Sequence, residues 1–276
     1  MSGSHRLLVF VHLNKTAGRT LRYILRSSYG ARHCDVEPWL PPGGTFSTEE
    51  LRRVRRFYPR LASIAGHRIV GSVELVEPAT ELRYLTLVRD PIATCASRFQ
   101  YQLDYRKKRG LVFEEWIRKE WVRDAQTQRI AGTTNVDDAI ALIDKKEMFV
   151  GLTERFDESM VLLRALRAPE LDINYAPMNV AKSSRVAKDL TADPVTRRMI
   201  VEANEADLAL YEHVRREVYP ALQREYGPTL DDEVAAYAAA RRGFNRRNLA
   251  MYGLKHRAVK TLLRLDRANA TAQRRP

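Results

Sequence analysis

The chain is expected to fold as an α/β domain with a parallel sheet covered by helices on both faces and a basic helical extension at its C-terminus. Three observations predict this. Apolar runs such as Leu7–Val11, Leu82–Val88 and Met148–Leu152 end in polar turns that lead into segments with apolar residues at helical spacing. Strands that alternate with helices need crossover connections, and those place helices on the sheet faces. The charge is also uneven: residues 241–276 hold eleven Lys or Arg and one acid, Asp266, and so carry +10 of the net +13. The expected division is an α/β domain over 1–228 and the basic extension over 229–276.

The elements follow in order. A strand is expected near 6–12 and a helix near 19–29. Residues 33–48 contain Pro38, Pro41, Pro42, Gly43 and Gly44 and read as loop. Ser47-Thr48-Glu49-Glu50 opens a short basic helix through Phe57, with a capping residue before acids in the first turn. Ser63–Val70 reads as a short strand holding Gly66-His67. The run ending at Val88 feeds a helix to about 108, for which Asp90 is a cap and Pro91 suits the first turn. Helices are expected over about 112–130 and 135–145, then a strand at Met148–Leu152 with its helix over Glu154–Arg167. Asn174–Arg185 reads as a polar loop, and one long helix is expected over about 193–217. Glu233–Arg242 is Ala-rich and helix-prone. Beyond it, Leu249, Tyr252, Leu254, Val259 and Leu262 interleave with Lys255, Arg257 and Lys260 as a basic amphipathic helix. Such a helix can dock on the domain or another subunit, bind a polyanion, or lie on an anionic membrane.

Two of the turns carry chemistry. The strand–turn–helix over Leu7–Leu21 has Lys15, Thr16, Gly18 and Thr20 at the turn. A helix N-terminus offers unpaired N–H groups and positive dipole charge, glycine allows close approach to an anion, and Lys and Thr add donors. The order differs from a Walker A loop, because the Lys precedes the Gly. At the second turn, Arg89 ends a strand and Ser97 follows Asp90 by two helical turns, so both can face one phosphate. Ligands of open α/β sheets sit at such strand ends. A bland alternative pairs Arg89 with Asp90.

Together these residues resemble the sulfotransferase superfamily, and more narrowly the membrane-type carbohydrate sulfotransferases of the heparan sulfate 2-O and 6-O type with their bacterial relatives. His12-Leu13-Asn14-Lys15-Thr16-Ala17-Gly18-Arg19-Thr20 is similar to that family's first loop, and Arg89-Asp90-Pro91-Ile92-Ala93-Thr94-Cys95-Ala96-Ser97 to its second signature. Gly66-His67, Gln126–Arg129 and Phe149–Phe156 fit the same order over roughly residues 6–185. Asn14, Arg19 and Thr94 depart from the usual residues. The resemblance implies a P-loop-like fold and sulfuryl transfer from 3′-phosphoadenosine 5′-phosphosulfate to a hydroxyl acceptor, a carbohydrate or glycan-like molecule. It implies Lys15 as the catalytic cation, with Thr16, Ala17, Gly18, Arg19 and Thr20 around the 5′-phosphate. Arg89 and Ser97 are then expected at the 3′-phosphate, with Lys182, Ser183 and Arg185 closing over it. The acceptor needs a general base. His67 is the first choice, Glu74 the rival, and His12 reads as structural. No metal-ligand spacing appears, and no metal is expected.

Composition bounds the rest. Cys34 and Cys95 are too few for a metal cluster or a disulfide framework. Cys95 falls on an apolar helix face, and Cys34 beside His33 is at most a weak reactive pair. With no 18-residue apolar stretch and a strand starting near residue 6, the expected location is cytoplasmic. Arg52, Arg53, Arg55, Arg56, Arg106, Lys107, Lys108 and Arg109 can line a groove for an anionic saccharide, although charged helix faces are usually only solvated. Trp39, Trp116 and Trp121 can stack on sugars or pack helices. Nucleic acid is not an expected partner. The competing functions are a non-catalytic polyanion-binding protein and another phosphate-handling enzyme, such as a small-molecule kinase.

Overall fold

A computed structural model describes residues 5–37, 44–106, 110–176, 185–240 and 243–272, with side chains described to residue 262. Five parallel strands form one sheet: β1 (His5–Val11), β2 (His33–Asp35), β3 (Ser63–Gly66), β4 (Thr80–Val88) and β5 (Phe149–Leu152). The order is β2-β3-β1-β4-β5. β1 is wholly buried from Leu7 onward, as a central strand covered on both faces must be.

This order fixes where a ligand fits. The chain leaves β1 toward the β2 edge and leaves β4 toward the β5 edge, yet β1 and β4 are neighbours. The crevice at their C-terminal ends is therefore the topological switch point. Register sharpens the placement. Val11 pairs with Gly66 and Val88 with Leu152, so His12, His67 and Arg89 each stand one residue beyond a paired strand end.

The helix that follows β1, α1 (Gly18–Tyr29), packs Leu21, Ile24 and Leu25 into the main core. The next, α2 (Thr48–Phe57), is capped by the Ser47 side chain and carries Glu49 and Glu50 in its first turn, as the sequence suggests. After β4 comes α3 (Pro91–Asp104), with Asp90 Oδ1 accepting from Ala93 N at 2.7 Å and Pro91 in the first turn. Short helices α4 (Phe113–Ile117), α5 (Ala125–Ala131) and α6 (Val136–Lys145) lead to β5, and α7 (Phe156–Leu166) follows it.

Several expectations give way here. Residues 33–35 form the edge strand β2 rather than loop, and all three are buried. Arg185 opens a helix, α8 (Arg185–Ala192), instead of closing a loop; Lys182 and Ser183 lie outside the described residues. The single helix expected over 193–217 is two, α9 (Pro194–Glu202) and α10 (Glu205–His213), continued by a π-helical turn at Val214–Val218 and by α11 (Tyr219–Tyr226). The break falls at Asn204, whose φ of −137° leaves the helical region and whose side chain donates to Ile200 O at 2.8 Å.

The C-terminal segment is docked. α12 (Leu230–Ala240) packs on α7, and α13 (Arg246–Ala272) packs on α1. Tyr252 and Val259 of α13 are buried, and Asn248 Nδ2 donates to Ser27 O at 2.7 Å and Ser28 O at 3.1 Å. Leu254 and Leu262 lie on the outer side, exposed. No helix among the described residues is long and apolar enough to cross a membrane.

Candidate active site

The turn after β1 is a strained loop opening onto an uncapped helix. Lys15 and Ala17 adopt φ of +66° and +57°, a region that L-residues enter only when the surroundings impose it. Thr16 is fully buried, and its hydroxyl donates to Leu13 O at 3.2 Å, closing the turn. The first turn of α1 has no acidic residue and no side-chain cap. By contrast Ser47, Asp90, Asn135 and Asp193 cap α2, α3, α6 and α9. Thr20 N and Leu21 N bond back to Ala17 O, and the first N–H groups of a helix have no intrahelical partner.

The two signature turns meet. Arg89 Nη1 donates to Lys15 O at 3.2 Å. Its backbone is held by Gln126, which accepts from Arg89 N at 3.0 Å and donates to Arg89 O at 2.8 Å. Asp90 is engaged as the α3 cap, so the bland Arg89–Asp90 pair does not form. Lys15 Nζ lies 5.0 Å above the Tyr101 ring of α3. Ser97, Tyr101 and Asp104 share that helical face, so the half-buried Ser97 is on the side of the cradle. The Lys15 pKa is lowered, first by burial and then by Arg89 and Arg19, with Asp104 opposing. Among the described residues, no carboxylate forms an ion pair with Lys15, Arg19 or Arg89. Three cations around uncapped N–H groups make a site that an anion completes.

The imidazoles of His12 and His67 stack on the other side of β1, ring centroids 3.8 Å apart and tilted by 25°. His67 Nδ1 donates to His12 O at 2.9 Å, which leaves Nε2 as the acceptor nitrogen. Burial lowers the pKa of His67, with Arg22 and Arg129 adding to it and Glu37 opposing, which favours the neutral ring. His12 is held well below its ordinary value, first by burial and then by His67. Gly18 has a reason other than anion approach: a Cβ there would stand 2.0 Å from His12 Cδ2. Gly66 is similar, since a Cβ would meet Val36 Cγ2 at 2.5 Å and Glu37 Oε1 at 2.9 Å.

Behind His67 lies an ionic network that sequence reading missed. The backbone N–H of His67 donates to Glu37 Oε1 in a short contact. Arg22 Nη2 is 3.6 Å from Glu37 Oε2, and Arg22 Nε donates to Asp35 Oδ1 at 2.9 Å. Asp35 also accepts from Arg26 Nε at 2.8 Å, from His33 Nε2 at 3.3 Å and from the hydroxyl of Tyr252 on α13. Burial alone would raise its pKa, but His33, Arg22 and Arg26 hold it well below the carboxylate range. No local pattern around His33-Cys34-Asp35 marks this hub. His33 points to Ser63 and Asp35 and does not pair with Cys34.

The surroundings of the other expected residues are as follows. Glu74 is exposed and reaches Lys146 Nζ at 3.7 Å, while Lys146 lies over the Tyr84 ring near the start of β5. Arg19 is exposed and Thr20 buried. Arg185 is 89% exposed, 3.9 Å from Asp189. Arg53 pairs with Glu49 and Glu50, and Arg55 with Glu77, so half of the supposed basic groove on α2 is already neutralised. Trp39 and Lys107–Arg109 lie outside the described residues. Trp116 is buried and Trp121 is 49% exposed, edge-on to it. The buried Cys95 thiol is pushed up to about 12 by burial. His12, Glu37 and His67 offer ligand atoms within 4.8 Å of one another. Glu37 Oε1 already accepts from His67 N, and its Oε2 lies 3.6 Å from Arg22 Nη2.

Comparisons with known proteins bear on this geometry. The chain is 26% identical over 280 residues to galactose-3-O-sulfotransferase 3 of Mus musculus, an alignment covering 88% of this chain and 63% of that protein. The protein of the same name from Bos taurus is 28% identical over 247 residues, covering 76% of this chain and 56% of that one. The chain thus spans less than two thirds of the length of these relatives. A sequence model of the galactose-3-O-sulfotransferase family matches residues 118–263, more than half of the chain and well into α13. This chain belongs to the galactose-3-O-sulfotransferase family.

Proposed function

We propose that the protein transfers a sulfuryl group from 3′-phosphoadenosine 5′-phosphosulfate to a carbohydrate hydroxyl. The observation that carries this reading is the cluster of Lys15, Arg19 and Arg89, without paired acids, around the uncapped start of α1. The cluster suits a ligand with separated phosphate groups: Lys15 and the N–H groups of the turn for the 5′-phosphate, Arg89 and Ser97 for the 3′-phosphate. The donor supplies the sulfuryl group and its bridging oxygen leaves with the 5′-phosphate of adenosine 3′,5′-bisphosphate.

This chain's residues have distinct tasks. Lys15 stabilises the negative charge that grows on the bridging oxygen as its bond to sulfur breaks. Gln126 fixes the backbone that carries Arg89. His67 Nε2 takes the acceptor's hydroxyl proton as the new oxygen–sulfur bond forms, and the Nδ1–H bond to His12 O keeps the ring in the tautomer that can accept it. Glu74 is the weaker candidate, because its ion pair with Lys146 holds it among α2, α6 and the start of β5.

The test is transfer of labelled sulfate from the donor to a β-galactoside by wild type, Lys15→Ala and His67→Ala. Loss of about 10²–10⁴-fold in kcat for His67→Ala, at unchanged donor affinity, is expected of a general base. Full activity of Lys15→Ala would overturn the reading.

A further inference from the structure

Among the described residues, Lys15 has no carboxylate partner. What its ammonium meets is the face of Tyr101 on α3, with Nζ 5.0 Å from the ring centroid. We propose that Tyr101 is a positioning residue whose ring face holds the Lys15 ammonium in place, and charged, before the donor binds; the proposal rests on the sulfotransferase reading above.

Position is the first argument. The backbone at Lys15 is set by its φ of +66° and by the buried Thr16 that follows it. Its side chain, however, is a flexible four-carbon stem. A cation within about 6 Å of a ring centroid is attracted to the ring face by the quadrupole, and Lys15 lies inside that reach. Tyr101 is held in turn: it stacks on Tyr105, one helical turn on, with centroids 4.9 Å apart and planes tilted by 24°. It shares the face of α3 that carries Ser97. One ring thus parks the lysine on the side of α3 where the donor's phosphates are expected.

Charge is the second argument. The titratable and charged groups around Lys15 are Arg89 beyond β4, Arg19 on α1, and Asp104 and the Tyr101 phenol on α3. Burial, Arg89 and Arg19 all disfavour the ammonium, and Asp104 opposes them. Asp104 is engaged elsewhere, because its Oδ2 accepts from Gln100 Nε2 at 2.9 Å. The ring face supplies the negative potential that a carboxylate partner would otherwise provide. A carboxylate in that place would repel the donor's phosphates and would be left unpaired once Lys15 turned to the bridging oxygen. A ring carries no net charge, so it releases Lys15 without either penalty.

An NMR titration of the full chain labelled with ¹³C-lysine, with Lys15→Arg to assign the signal, reads the ammonium directly and needs neither donor nor turnover. In Tyr101→Leu the midpoint should fall by about 0.4–1.5 pH units, the range for loss of one cation–π contact. Tyr101→Phe keeps the ring and removes the phenol, and should titrate as wild type does. If Tyr101→Leu does not fold, Tyr101→Met takes its place with the same expectation. In transfer of labelled sulfate at pH 7.5, kcat should fall about threefold or more in Tyr101→Leu, because the lysine is less well aimed, and return in Tyr101→Phe. A Lys15 midpoint in Tyr101→Leu equal to that of wild type would overturn the proposal. So would a Tyr101→Phe midpoint displaced as far as that of Tyr101→Leu, or an unchanged kcat in Tyr101→Leu. Failure of the sulfotransferase reading would register separately, as absent binding of adenosine 3′,5′-bisphosphate to wild type.

Discussion

The side-chain amide of Gln126 makes both of its hydrogen bonds to the backbone of Arg89, at 3.0 and 2.8 Å. Gln126 is itself fixed at the start of α5, where Asp207 of α10 accepts from Gln126 N at 3.0 Å and Thr127 N at 2.7 Å. Asp124 returns the arrangement by accepting from Ala206 N and Asp207 N at the start of α10. Two helices thus cap each other, and their junction holds the arginine of the second signature.

Gln126→Leu leaves the N–H and C=O of Arg89 without these partners. Each unsatisfied buried group costs about 1–3 kcal/mol. The expected result is a lower Tm and a loss of affinity for adenosine 3′,5′-bisphosphate of about tenfold or more, with Arg89 still present. Chemical denaturation and calorimetry would measure both.

Gly18→Ala should destabilise by roughly 1–3 kcal/mol, the usual range for overpacking, because the new methyl falls on the His12 ring. A double-mutant cycle with His12→Ala isolates that clash. If it is the cause, the penalty shrinks when His12 is truncated. An additive cycle would count against it.

The histidines set a pH dependence. His12, His33, His67 and His256 all have lowered pKa values, with burial the largest cause in each. The unfolded chain then binds more protons than the folded one below about pH 6.5. Their contribution is fully present above that pH and is lost as pH falls through the lowered folded values. Tm should fall between pH 7.5 and pH 5, and less steeply in His12→Asn, which is less stable throughout but has one fewer buried ring to charge. Catalysis should fall in the same direction, as His67 gains the proton it must be free to accept.

Asp35→Asn removes the charge that pairs Arg22 and Arg26. Breaking one partner of a buried pair costs about 3–5 kcal/mol, and Asp35 is 2% exposed with each arginine side chain at 16–17%. Urea unfolding should show a loss of that order. Because Tyr252 also bonds Asp35, hydrogen exchange along the first half of α13 should speed up by more than along α7.

The sequence makes part of this architecture legible. β1 and α1, and β4 and α3, are readable because buried strands leave unbroken apolar runs and because Asp90 and Pro91 mark a helix start. β2 escapes because three residues are too few to establish a period. The division at Asn204 escapes because the apolar spacing continues across it while a side-chain bond to Ile200 ends the first helix. Lys15 and His67 are readable as candidate site residues, and the strand register brings His67 onto His12. Glu37, Asp35 and Tyr252 are separated by up to 217 residues and meet only in the fold. Gly18 is readable as a glycine that lets an anion approach the backbone, but its contact is the His12 ring, which no local pattern reveals.

Calorimetric titration with adenosine 3′,5′-bisphosphate, with AMP as control, on wild type and Arg89→Ala tests the central claim most directly. The account predicts binding to wild type that depends on the 3′-phosphate, because AMP lacks it, and that weakens at least tenfold in Arg89→Ala. Equal binding of the two nucleotides, or an Arg89→Ala variant that binds as wild type does, would contradict it.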